Sequence, residues 1–285
     1  MKLILAAIPL LISFSAISKP LIIGGNTDTT NNKNGIFHLA IVDTVESGAC
    51  TATKISKNFI ITAAHCFHGK KVKQLGFSYA SKNPEMDFLP LDFEQIYMHP
   101  SFEKLSREEV EEDNSSNFKT SDIALLKIKP NPQFDELEIV ELDFEVVQTE
   151  KSAKIWGYGC QETINDTSNY VPERKFGSSR TLKIKELEVN HNQMADYYSH
   201  YAESIFDFNI ITAGNKMETS SPSLCLGDSG GPLLINNKLV GINANYTFND
   251  MNPNDPNETG KGISYINLHA RISKIKSWIE DTLKL

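Results

Sequence analysis

Beyond residue 21 the chain alternates between short apolar runs and polar turns. The runs 37–42, 59–64, 93–98, 123–128, 153–158, 181–189, 232–235 and 239–244 are rich in β-branched residues. Their length and content predict strands, and their number predicts a sandwich or barrels. The last two flank Asn236-Asn237 and read as strands joined by a turn. Helical periodicity is sparse. Ile272, Ile275, Ile279 and Leu283 recur at three- and four-residue steps, predicting a C-terminal helix with one apolar stripe around Trp278. A second, shorter helix is expected at 192–204. The polar stretches 103–120, with its acidic run 108–113, and 249–260, rich in Asn, Pro and Asp, predict long surface loops. Segment 129–143, with two prolines and many acids, predicts a linker between halves.

The first residues follow a different pattern. Lys2 is followed by an apolar run over 3–17 broken by Ser13 and Ser15, and Ala16-Ile17-Ser18 sets small residues at signal-peptidase spacing. The expectation is a signal peptide over 1–18, cut after Ser18. The run is short for a membrane span and carries Pro9. The processed product is therefore expected to be secreted, or periplasmic in a bacterium, with no membrane attachment. Hydrophobic residues at 40% and charged residues at 22% exclude collagen-like, coiled-coil and wholly disordered chains. The formal charge is −8; removing 1–21 takes away Lys2 and Lys19 and no acid, leaving 26 basic against 36 acidic residues, or −10. That balance argues against a nucleic-acid partner. The four cysteines, Cys50, Cys66, Cys160 and Cys225, follow an export signal, which favours two disulfides. Neither C-x-x-C nor H-E-x-x-H occurs, so no metal is expected, and no cofactor either.

The candidate chemistry begins at Gly227-Asp228-Ser229-Gly230-Gly231-Pro232-Leu233. A serine between glycines can present its hydroxyl on a tight turn, with backbone N–H groups aimed at an incoming carbonyl. It needs a neighbouring base to become a nucleophile. The α/β-hydrolase elbow shares the G-x-S-x-G pattern but would be followed by a helix and a later histidine. Here strands follow, and the only later histidine, His269, stands at the expected start of the C-terminal helix. Upstream, Ile60-Ile61-Thr62-Ala63-Ala64-His65-Cys66 places a histidine just past a strand, tied by a cysteine. Thr120-Ser121-Asp122-Ile123-Ala124-Leu125-Leu126 places an aspartate at the mouth of another.

Together with Ile22-Ile23-Gly24-Gly25, the segments 62–66, 122–126 and 227–233 resemble the four signatures of the trypsin/chymotrypsin-like serine protease family, in its order and across nearly the whole exported chain. The resemblance implies an all-β fold of two six-stranded antiparallel barrels with a C-terminal α-helix, divided at 22–140 and 141–285. It implies a serine endopeptidase acting on proteins or peptides, expected as a monomer. It implies a triad of His65, Asp122 and Ser229, with an oxyanion hole from the N–H groups of Gly227 and Ser229.

The family also pairs a new amino terminus with the aspartate before the nucleophile, here Ile22 with Asp228. That needs cleavage after Leu21, leaving only 19–21 as a pro-segment, and so an activating protease that cuts after leucine, or self-processing. Cys50 and Cys66 match the family's bridge across the histidine loop. Cys160 is expected to pair with Cys225, two free thiols being the alternative. The pocket base would be Ser223 and its wall Ala244-Asn245-Tyr246. A neutral base disfavours Arg or Lys, and Tyr246 would narrow the pocket. Beside the protease stand a non-catalytic binding protein with the same fold and an esterase. Asn114, Asn165, Asn245 and Asn257 occupy N-x-S/T sequons.

Overall fold

The computed structural model describes residues 26–28, 33–44, 47–79, 88–103, 120–147, 152–159, 175–181, 207–214, 224–248 and 265–285. The signal and pro-segments, Ile22, the acidic run 108–113, Cys160, the helix expected at 192–204, Ser223 and the loop 249–260 lie outside them.

After a two-residue strand β1 (Asn26–Thr27), the chain runs through β2 (Ile36–Val42), β3 (Ser47–Lys54), β4 (Phe59–Thr62), β5 (Gln74–Ser78), β6 (Leu89–Pro90), β7 (Phe93–Met98) and β8 (Ala124–Ile128). Strands β2 to β8 form one antiparallel sheet in the order β6-β5-β2-β3-β4-β8-β7. The second half supplies β9 (Ser152–Gly157), β10 (Lys175–Thr181), β11 (Asn209–Gly214), β12 (Pro232–Ile235), β13 (Lys238–Phe248) and β14 (Tyr265–Arg271). Its order is β1-β10-β11-β14-β13-β12-β9, and β9 also pairs with β10. That extra pairing closes a ring of six strands, with β1 added outside it. Among the described residues each sheet thus has six principal strands plus one of two residues, β6 in the first and β1 in the second.

The first sheet curls around aromatic side chains. Phe37, Phe77 and Phe134 pack edge to face, each pair of ring centroids 5.8 Å apart, a geometry that suits their quadrupoles. Phe134 comes from a short helix, Pro132–Asp135, whose N-cap Asn131 accepts from the Gln133 and Phe134 amides. Within segment 129–143, residues up to Val140 pack against the first sheet, whereas Glu141 and Asp143 exchange backbone hydrogen bonds with Leu239 of β13 in the second. Buried Lys54 fixes the first part further, donating from Nζ to the carbonyls of Phe134 and Leu137 at 2.8 Å each.

The β12–β13 hairpin turns on Asn236 and Asn237 at φ 52° and 62°, the left-handed conformation that asparagine tolerates and that tight hairpins require. The expected C-terminal α-helix is present but shorter than its apolar stripe. Residues Ile272–Ile275 form a 3₁₀ turn, the α-helix covers only Lys276–Thr282, and His269 lies on β14. The apolar stripe remains: Ile272, Ile275 and Ile279 are buried, and Trp278 meets the His99 ring edge to face at 5.0 Å. The chain end thus packs back onto the first sheet. No helix among the described residues is long and apolar enough to cross a membrane.

Candidate active site

β4 ends at Thr62, and a 3₁₀ turn at Ala64–Cys66 swings His65 away from the core. Cys66 is joined to Cys50 of β3 by a disulfide, which ties the turn to the sheet. Asp122 enters from the chain leading into β8 and is buried. Its Oδ1 accepts the His65 backbone N–H at 2.8 Å, and its Oδ2 meets His65 Nδ1 at 2.5 Å. The carboxylate thus fixes both the backbone and the ring. Burial depresses the His65 pKa, but the charge of Asp122 and its hydrogen bond outweigh that and the smaller repulsion from Lys70. The ring therefore titrates above its ordinary 6.5.

Ser229 lies on the turn between β9's neighbour Asp228 and β12. Gly227 and Gly230 hold φ of 95° and 83°, the left-handed region that glycine occupies without strain. A Cβ on Gly230 would lie 1.9 Å from Thr62 Oγ1 and 2.3 Å from the Thr51 carbonyl, so the turn rests directly on the first sheet. Thr51 grips it twice: its N–H donates to the Ser229 carbonyl at 2.8 Å and its hydroxyl to the Gly227 carbonyl at 2.9 Å. The N–H groups of Asp228, Gly230 and Gly231 donate to backbone carbonyls. Those of Gly227 and Ser229 have no acceptor among the described residues.

Asp228 is fully buried, and its carboxylate accepts the N–H groups of Gly159 and Cys225 at 2.8 Å each. Cys225 is disulfide-bonded. Tyr246 lies at the cavity wall, and burial and then the Asp228 charge raise its pKa above 10.0.

His65, Asp122 and Ser229 line one cavity of about 410 Å³, together with Leu224, Leu226, Ala244 and Tyr246. Ala244 is the extra residue of a bulge in β13, opposite the step from His269 to Leu268, and such bulges re-aim a strand's side chains. No hydrogen bond joins His65 to Ser229, a contact that in such sites often forms fully only with substrate in place.

The Trypsin family model matches residues 22–279. The chain belongs to the trypsin family. Its relatives include the chymase of Canis lupus familiaris, 26% identical over 92% of this chain and 90% of that one. The kallikrein 1-related peptidase b1 of Mus musculus is 25% identical over 92% and 89%, and the trypsin-3 of Salmo salar 25% over 82% of each. The trypsin-like chain is accordingly a serine endopeptidase, a hydrolase of protein substrates.

Several residues that shape this trypsin-like site are absent from the sequence expectations. Thr51, Asn243 and Asn267 hold the segment that carries Ser229, and His269, which the sequence reading set at the start of the helix, belongs with them. The available signal was the presence of polar residues inside apolar strand runs, as in 239–244.

Proposed function

We propose that the protein is an exported endopeptidase that cleaves through an acyl-enzyme on Ser229. The observation that carries this reading is the contact of His65 Nδ1 with buried Asp122 beside Ser229 in one cavity. Asp122 keeps the ring hydrogen on Nδ1, so Nε2 is the base. Ser229 Oγ attacks the scissile carbonyl carbon while its proton passes to Nε2. The tetrahedral oxyanion is held by the N–H groups of Gly227 and Ser229. When it collapses, the C–N bond breaks and Nε2–H protonates the leaving amine; water then repeats the sequence to release the acid. Ser229→Ala is expected to keep the thermal unfolding transition and lose both turnover and fluorophosphonate labelling. Retained labelling would refute the assignment, and labelling with turnover of esters alone would favour the esterase.

Activation follows from Asp228. A carboxylate sealed this deeply gains from a cationic partner, and cleavage after Leu21 would supply the Ile22 amine. Active protein should begin Ile-Ile-Gly-Gly on amino-terminal sequencing; full activity with a start at Lys19 excludes this. Cys160 is assigned as the partner of Cys225, being the cysteine that remains beside the Cys50–Cys66 pair. For specificity, a neutral Ser223 with Leu224, Ala244 and Tyr246 favours small or apolar side chains over Arg and Lys. A positional-scanning peptide library tests this, and a dominant Arg or Lys preference overturns it.

A further inference from the structure

Behind the cavity, four fully buried polar side chains form one directed hydrogen-bond path: Asn243, His269, Thr212 and Asn267. Asn243 Nδ2 donates to the carbonyls of Trp156 at 2.9 Å and Asp228 at 3.1 Å. Both of its hydrogens are then used, so Oδ1 must accept across the 2.8 Å contact with His269 Nδ1, and the hydrogen lies on that nitrogen. His269 Nε2 is left with a lone pair, which the Thr212 hydroxyl meets at 3.0 Å. Thr212 Oγ1 accepts from Asn267 Nδ2 at 3.3 Å, and Asn267 Oδ1 accepts the Leu224 N–H at 2.9 Å. Each donor finds an acceptor, and no direction conflicts with another.

The two ends of this path are backbone groups of a single segment. Leu224 N–H and Asp228 C=O bracket the stretch that contains Gly227 and leads into Ser229. Asn243 adds backbone bonds on the far side, donating to the Gly231 carbonyl and accepting from Gly230, both at 2.8 Å. We propose that the path is a positioning relay in which His269 fixes the amide of Asn243, and through it the Asp228 carbonyl and the placement of Ser229. His269 touches neither substrate nor the reacting atoms, so it is a positioning residue. Burial pushes its pKa down to about 3, which keeps it neutral and able to donate and accept at once across the neutral range.

This inference rests on the reading of Ser229 as the nucleophile, and the test separates the two. The burst of p-nitrophenol from p-nitrophenyl acetate, measured on the processed protein, gives an acylation rate and a half-saturation concentration with no demand on side-chain preference. His269→Phe keeps a ring but loses both hydrogen bonds. It is expected to lower the acylation rate about ten-fold and to leave half-saturation within about two-fold, with His269→Gln restoring most of the rate. Thr212→Val, at a distance from the cavity, should lower it about three-fold and decides the matter should the Phe variant fail to fold. A parental rate in His269→Phe or Thr212→Val, or a Gln variant no better than Phe, overturns the relay. Absence of a burst in the parent protein overturns the Ser229 reading itself.

Discussion

Acidification from pH 7 to 5 should weaken the fold through two buried histidines. His38 and His269 are both buried, and burial lowers their pKa values from 6.5 to about 4 and about 3. With the folded value below the unfolded one, the unfolded chain binds the proton first. The stability each neutral ring contributes is whole above 6.5 and is lost as pH falls toward the folded value. Across this interval the unfolded histidines become protonated while the folded ones stay neutral, about 1.5 pH units of linkage, or about 2 kcal/mol for each ring. The pair amounts to about 4 kcal/mol against a typical domain stability of about 5–15. His65 works in the opposite sense: its raised pKa contributes stability below 6.5 that fades as pH rises through its folded value. The parent's net slope mixes these signs, so a variant isolates one of them. His38 stacks on Tyr158 at 5.4 Å with the rings 10° from parallel, and His38→Phe keeps that stacking without the titration. Urea unfolding of parent and variant at pH 7 and pH 5 should give a variant that loses about 2 kcal/mol less than the parent. Equal losses in the two proteins would refute the reasoning.

Asp122→Asn removes the influences that raise the His65 pKa and leaves burial, so the acid limb of kcat should move to lower pH. Its height should fall by about 10⁴, the loss established for this family, and an unmoved limb in a pH–rate profile would count against His65 as the base. Gly157→Ala puts a Cβ 2.0 Å from Asp228 Oδ1 and 2.9 Å from its Cβ; a loss of about 2–4 kcal/mol is expected in denaturant unfolding. Thr51→Val deletes the hydroxyl that donates to the Gly227 carbonyl and accepts from the Tyr158 N–H. Acylation should slow about ten-fold with Thr51→Ser close to the parent, as read by the p-nitrophenyl acetate burst.

Large apolar side chains made part of this fold legible. β4, β7 and β12 lie where their Phe, Ile and Leu content placed them, and the Asn-Asn turn between β12 and β13 falls where strand spacing put it. β3 was silent because Ser47–Lys54 has no large apolar residue; it buries Cys50, Thr51, Ala52 and Thr53 instead. β14 was hidden for a different reason. Asn267 and His269 interrupt its apolar pattern, yet both are fully buried because each has partners on neighbouring strands. Apolar periodicity reads transfer free energy from side-chain type, whereas a polar group becomes buriable through hydrogen bonds to distant residues. The motif segments around His65, Asp122 and Ser229 were legible, and they meet at one cavity. The residues that hold them in place belong to the buried polar class and carried no comparable signal.

The spacing between His65 and Ser229 is set over a short path, which makes fold and site hard to separate. Ser229 and Gly227 hang by their carbonyls from Thr51 on β3, and the Thr51 carbonyl accepts the Thr62 hydroxyl on β4 at 2.8 Å. Gly230 presses on Thr62 and on the Ala63 amide, where an added Cβ would come within 1.9 Å and 2.9 Å. His65 follows two residues after Ala63, in the turn fastened by Cys50–Cys66. The Ser229 turn of the second sheet is thus registered against the strand end that leads to His65, with no loop between them to absorb an error. A close-packed contact of this kind transmits sub-ångström shifts, and displacement of reacting groups by about 1 Å costs about 10² in rate. On the proposed reading of Ser229 and His65, small residues at 51, 62 and 230 therefore constrain catalysis as directly as the triad side chains themselves.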